Sequence, residues 1–154
     1  MQEASANYYP PATVNGAGQV RTLARVIAVE DDPDIRAVVE LALGHVGGLA
    51  VTCCESGPSA LEAVPEIGPD LVLLDVMMPG MDGLETLTRL RLDSRVRHVP
   101  VVFMTARVQP HHRADYLKRG ALGIIAKPFD PLTLAEQLRQ LHATLDHPSR
   151  RPAG

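Results

Sequence analysis

Tryptophan is absent from these 154 residues, and aromatics amount to only 3%. A base-stacking platform for single-stranded nucleic acid has almost nothing to build with, and any core must be aliphatic. Cysteine is scarce as well. The two present, Cys53 and Cys54, are neighbours. Successive residues on a strand point to opposite faces, so they make poor disulfide or zinc partners and read as reduced thiols of a cytoplasmic chain. No apolar run approaches the ~20 residues of a spanning helix. The opening MQEASANYYPPATVNGAGQ has neither the basic start nor the apolar stretch of a secretory signal. An excess of positive charge is missing too: 15 Lys and Arg stand against 18 Asp and Glu, a net charge of -3. No bulk field therefore favours nucleic acid or an anionic membrane, and neither is expected as a partner. The phosphate-binding glycine loops and the G-x-S-x-G elbow are also lacking.

What is present is alternation. Residues 1–23 read as a flexible leader and 147–154 as a disordered tail, leaving one domain at 24–146. Within it, short apolar runs at 24–30, 49–54, 70–75, 99–105 and 121–126 read as strands. The third, DLVLLD, is apolar throughout its interior, the mark of a strand buried on both faces. Between them lie helical patterns. Residues 33–46 place Ile35, Val38, Val39, Ala42, Leu43 and Val46 at helical spacing, with Asp32 as N-cap and Pro33 in the first turn. Ser56 caps a second helix, 82–92 reads as a third and 110–119 as a fourth. Asp130 is expected to cap a fifth running to Leu145. Strict strand–helix alternation with right-handed crossovers gives an α/β fold. The predicted form is a flavodoxin-like, doubly wound, five-stranded parallel sheet of order 2-1-3-4-5 with five helices.

In that order the ligand site lies beyond the carboxyl ends of the strands, and the residues there are telling. Strand one ends in Glu30 and Asp31, strand three in Asp75, strand four in Thr105 and Ala106, strand five in Lys127 and Pro128. Neighbouring strands lie about 4.8 Å apart, so Glu30, Asp31 and Asp75 converge. Three carboxylates repel one another, and a hard divalent cation with oxygen ligands, Mg²⁺, relieves that repulsion. Thr105 and Lys127 opposite suit phosphoryl oxygens, and Ala106 leaves space. A carboxylate at Asp75, between metal and ammonium, can attack phosphorus and become an acyl phosphate.

These residues resemble the receiver domain of two-component response regulators over residues 24 to about 146. VIAVEDDPDIR is similar to the family's first strand and acidic pair, LVLLDVMMPGMDGLE to its phosphoacceptor segment, VVFMTA and IIAKPF to its fourth and fifth strand ends. The resemblance implies phosphorylation of Asp75 by a histidine kinase or histidine phosphotransfer protein. It implies Mg²⁺ on Glu30, Asp31, Asp75 and the carbonyl of Met77, phosphoryl contacts from Thr105 and Lys127, and a cis bond before Pro128. Pro79, Gly80 and Gly83 would shape the loop after the phosphoacceptor. Ile124 stands where the family usually has an aromatic switch residue. Met77 cannot orient an attacking water, which predicts slow loss of phosphate. Adjacent His111 and His112 read as solvated surface.

Only nine residues follow Leu145, which predicts a signalling unit with no output domain attached. Its phosphorylation would shift a protein-binding face on the fourth helix, fifth strand and fifth helix, around Leu117, Ile124 and Leu134, and leaves room for a phosphorylation-dependent homodimer. A turnover enzyme is not expected. A phosphohydrolase of this type needs a second carboxylate where Met77 stands. A flavodoxin needs a Ser-, Thr- and Gly-rich loop where Glu30, Asp31 and Asp32 would repel phosphate. A degenerate docking module would have no use for the acids and Lys127.

Overall fold

A computed structural model of the chain describes residues 13–14 and 20–146. Of the expected leader, residues 1–12 and 15–19 lie outside the described residues, as does the whole expected tail at 147–154. Within the leader, Thr13–Val14 pairs antiparallel with Val20–Arg21 as a small ribbon.

The domain is a five-stranded parallel sheet. Its strands are β1 (Arg25–Val29), β2 (Ala50–Cys54), β3 (Leu71–Asp75), β4 (Val101–Thr105) and β5 (Gly123–Ala126). Their spatial order is 2-1-3-4-5, the order predicted from the alternation. Every residue of β3 and β4 is buried, because helices cover both faces and a strand between two layers has no wet side. The helices are α1 (Pro33–Glu40), α2 (Gly57–Ile67), α3 (Gly83–Leu92), α4 (Pro110–Lys118) and α5 (Leu134–Ala143).

Side-chain alternation along each strand splits the core into two halves. Ile27, Val29, Val72, Leu74, Val101 and Phe103 pack with α2, α3 and Tyr116 of α4. Val26, Ala28, Leu71, Leu73, Val102 and Met104 pack with α1, the turn that follows it and α5 through Val39, Leu43, Leu134 and Leu138. The adjacent cysteines obey the same rule: Cys54 belongs to the first half, Cys53 lies against the second, and both are free thiols.

Helix starts follow their caps. The Asp32 side chain accepts from the N–H groups of Asp34 and Ile35, Ser56 from Ser59, and Asp82 from Glu85. Two expectations need correction. The first helix does not run as one α-helix to Val46: from Leu41 to Val46 it widens into a π-helical turn. Asp130 does not cap α5. Its Oδ1 accepts from Leu132 N–H at 2.9 Å and its carbonyl from Thr133 and Leu134, so a turn comes first and the helix starts at Leu134. Leu134 and Leu138, expected on the inner face of the fifth helix, are fully buried in the α1–α5 half of the core. Among the described residues no helix is long and apolar enough to cross a membrane.

Candidate functional site

The site lies at the carboxyl ends of β1, β3, β4 and β5, where the doubly wound order opens a crevice. Glu30 follows β1 directly, and its N–H extends the ladder to the Cys54 carbonyl at 3.0 Å. Asp75 is the last residue of β3 and pairs in register with Met104. Thr105 comes one residue later on β4 and pairs with Ala126. Lys127 follows at once, its N–H donating to the Thr105 carbonyl at 2.9 Å. Register thus sets four functional groups around one point.

Glu30, Asp31 and Asp75 each bring a carboxylate oxygen within 4.8 Å of the others. Glu30 and Asp75 are almost fully buried, at 1% and 3% exposure. Lys127 Nζ lies 2.8 Å from Glu30 Oε1 and 3.2 Å from Asp75 Oδ1. Glu30 Oε2 accepts from Asp32 N–H at 3.1 Å, and Asp75 Oδ1 from Met77 N–H at 3.3 Å. Burial, then the charge of Glu30, push the Asp75 carboxyl up to about 6, against a smaller opposing pull from Lys127. The Lys127 pKa is raised as well: burial disfavours its charge, but the Glu30 hydrogen bond and the two carboxylates outweigh this.

The donor set is all oxygen, and the three ligand atoms are close enough to share one small ion. No His or Cys belongs to the cluster. Hard, paired carboxylates of this kind fit Mg²⁺ and not zinc.

The remaining predicted residues fall around this centre. Thr105 is 1% exposed, and its Oγ1 accepts from Arg107 N–H at 3.0 Å. Ala106 is exposed beside it, and the Lys127–Pro128 peptide is cis. Met77 projects into solvent at 53% exposure. Gly83 approaches the end of β3 so closely that a Cβ there would lie 2.3 Å from the Asp75 carbonyl oxygen. Ile124 is half-buried and packs against the half of the core containing Phe103 and Tyr116.

Two features differ from the sequence reading. Lys127 bridges Glu30 and Asp75, so it belongs to the acidic cluster as its internal counter-ion and not only to the opposite wall. His112 is half-buried instead of solvated: its ring lies 4.0 Å from that of His111 and nearly parallel to Tyr116 at 6.3 Å. Burial, and then His111 and Arg107, lower its pKa. Sequence reasoning gave no role to Arg36, although the quoted first motif ends on it. An arginine on the first turns of a helix that follows an acidic pair was the available signal.

Residues 26–139 match the model of the response regulator receiver domain. The chain is 40% identical over 131 residues to the transcriptional regulatory protein CseB of Streptomyces avermitilis, covering 83% of this chain and 54% of that protein. It is 36% identical over 126 residues to the DNA-binding response regulator MtrA of Mycolicibacterium smegmatis, covering 81% and 54%. To the phosphate regulon transcriptional regulatory protein PhoB of Escherichia coli it is 37% identical over 115 residues, covering 75% and 50%. Among solved structures, the chemotaxis protein CheY4 of Vibrio cholerae superposes with a TM-score of 0.72 at 31% identity, covering 77% of this chain and 98% of that one.

These relatives correct the functional expectation. The reading of a unit with no output domain, acting through a protein-binding face, rested on where the sequence stops. The chain spans about half the length of the curated relatives it matches, and those are named as transcriptional or DNA-binding regulators. The end of the sequence therefore says nothing about output, and the exclusion of nucleic acid as a partner falls with it.

Proposed function

The chain belongs to the response regulator receiver family, and from that premise we propose that Asp75 is a phosphoacceptor in a two-component pathway. The observation that carries this reading is the meeting of Glu30, Asp31 and Asp75 within 4.8 Å, with Lys127 Nζ in contact with the acceptor carboxylate.

The donor is a phosphohistidine on a histidine kinase or histidine phosphotransfer protein. A carboxylate oxygen of Asp75 attacks phosphorus, the P–N bond breaks, and its electron pair leaves with the donor imidazole, which takes up a proton. Asp75 becomes an acyl phosphate. Glu30, Asp31, Asp75 and the carbonyl of Met77 would hold Mg²⁺, which when bound would offset the charge of the carboxylates and of the incoming phosphoryl oxygens. Lys127 follows the phosphoryl group with its ammonium, and Thr105 turns its hydroxyl from the Arg107 amide toward a phosphoryl oxygen. Ala106 leaves room for the group. Met77 offers no acid or base to a hydrolytic water, so the chain holds its phosphate instead of turning it over as an enzyme.

The named roles of the relatives support control of transcription as the consequence, with the cytoplasm as the compartment. Intact-mass spectrometry after incubation with acetyl phosphate and Mg²⁺, or with a phosphorylated kinase, tests the phosphoacceptor. One phosphoryl adduct is expected on the wild type and none on Asp75→Asn. An adduct of equal yield in the variant, or none from either donor, overturns the assignment.

A further inference from the structure

The acidic pair is exposed to a conformational problem that the rest of the site does not share. Glu30 is fixed on every side: its N–H by β2, one carboxylate oxygen by Lys127, the other by Asp32 N–H. Asp31 lies one residue beyond the sheet, half-exposed, with two carboxylates pushing it away. The direction of its side chain depends on the two peptide planes that flank it, since these fix its only soft backbone dihedrals.

Both planes are held by one side chain. Arg36, on the first turns of α1, donates from Nη1 to the Glu30 carbonyl at 2.8 Å and to the Asp31 carbonyl at 3.3 Å. The first carbonyl belongs to the plane before Asp31 and the second to the plane after it. The second plane is gripped at its other end too, where Asp32 N–H meets Glu30 Oε2. Helix α1 is in turn anchored to the same loop: Asp32 caps it, and Arg36 N–H donates to the Asp32 carbonyl at 2.9 Å. Arg36 is half-buried over this turn. Its cation also stands behind the backbone of two anions that would otherwise drive the loop open.

We propose that Arg36 is a positioning residue for the cation site: by clamping the carbonyls of Glu30 and Asp31 it holds the Asp31 carboxylate beside Glu30 and Asp75, ready for Mg²⁺. The inference rests on the phosphoacceptor reading and specifies which residue outside the ligand set preorganises it. Partners of this kind, one bond removed from a metal ligand, typically change metal affinity about 10–100-fold when removed.

The test uses the whole chain with Mg²⁺ itself as probe. Thermal melts across a Mg²⁺ titration give the concentration at which stabilisation sets in, which reports the Kd, for the wild type, Arg36→Met and Arg36→Lys. Arg36→Met should raise that concentration about tenfold. Arg36→Lys, which keeps a cation on a shorter donor, should recover part of the loss. Adduct formation from acetyl phosphate should fall in Arg36→Met at low Mg²⁺ and return at saturating Mg²⁺. If Arg36 merely stabilised α1, its removal would lower every melting temperature by the same amount and leave that concentration unmoved. That result, in either variant that folds, overturns the proposal while leaving the phosphoacceptor reading intact. A wild type that shows no Mg²⁺ response removes the cation site and this proposal together.

Discussion

Asp75 carries the largest electrostatic strain among the residues of the site. Its carboxyl is raised from 3.8 to about 6 in the fold, through burial first and Glu30 second. A raised acid favours the folded state only while protonated. Its contribution is fully present below about pH 4 and is lost as pH rises through about 6. At pH 7 without Mg²⁺ the ionised group therefore opposes folding. Asp75→Asn should be more stable than the wild type there by roughly 1–3 kcal/mol, and the gap should close toward pH 4. Urea denaturation of both proteins in EDTA across this range measures it; a wild type that gains on the variant as pH rises contradicts the assignment. A second residue acts through space alone. Ala at Gly83 would put a methyl 2.3 Å from the Asp75 carbonyl and 2.8 Å from Val76 Cα. Neither backbone atom can yield cheaply, so Gly83→Ala should cost about 1–3 kcal/mol. Because the displaced strand end carries Asp75, phosphoryl uptake at saturating Mg²⁺ should slow as well. Loss of stability with normal uptake would mean that the strain relaxes away from Asp75.

At the scale of elements, the parts governed by local chemistry were legible and those governed by packing were not. Asp32, Ser56 and Asp82 announce α1, α2 and α3 because a short side-chain acceptor satisfies free N–H groups whatever the rest of the chain does. The doubly buried β3 could be read from DLVLLD for the same reason. The π-helical turn after Glu40 was not legible, since over a single turn its apolar spacing hardly differs from that of an α-helix. Its setting is tertiary: Gly47 passes so close to α5 that a Cβ would lie 2.4 Å from that of Ala135. Asp130 misled because the same acceptor that caps a helix also closes a turn. In the site, the strand-end acids could be read from register, but the bridge from Lys127 to Glu30 spans 97 residues and depends on where a flexible stem comes to rest. The role of Arg91 was hidden likewise. From α3 it donates to the carbonyls of Arg97, Val99 and Gly120 at 3.2, 2.8 and 3.2 Å, tying the end of one helix to the loop before β4 and the turn before β5. Burial lowers its pKa, yet it remains a cation among carbonyl dipoles. Arg91→Ala leaves those acceptors without their donor and should destabilise the fold by about 2–4 kcal/mol, read as a lower denaturation midpoint with an unchanged slope. A cost no larger than that of an exposed substitution would show that water replaces the guanidinium.

For the molecule as a whole, the site exists only when the sheet does. Its acids come from the ends of β1 and β3 and its ammonium from beyond β5, segments that nothing but the parallel pairing brings together. An unfolded chain has no such cluster, so a cation that needs all three carboxylates binds the native state alone and must stabilise it. At a hundredfold excess over Kd the gain is about 2.7 kcal/mol, several degrees in Tm for a domain of this size. Asp31→Asn removes one ligand without touching the sheet, and its melting temperature should respond far less to the same Mg²⁺. The comparison also separates site binding from general screening, which would lift both proteins alike because their net charges differ by one. Equal shifts would place the cation elsewhere on the surface. A shift confined to the wild type would instead tie the acids of β1 and β3 to a single ion, and make folding, metal affinity and readiness for phosphate consequences of the same strand order.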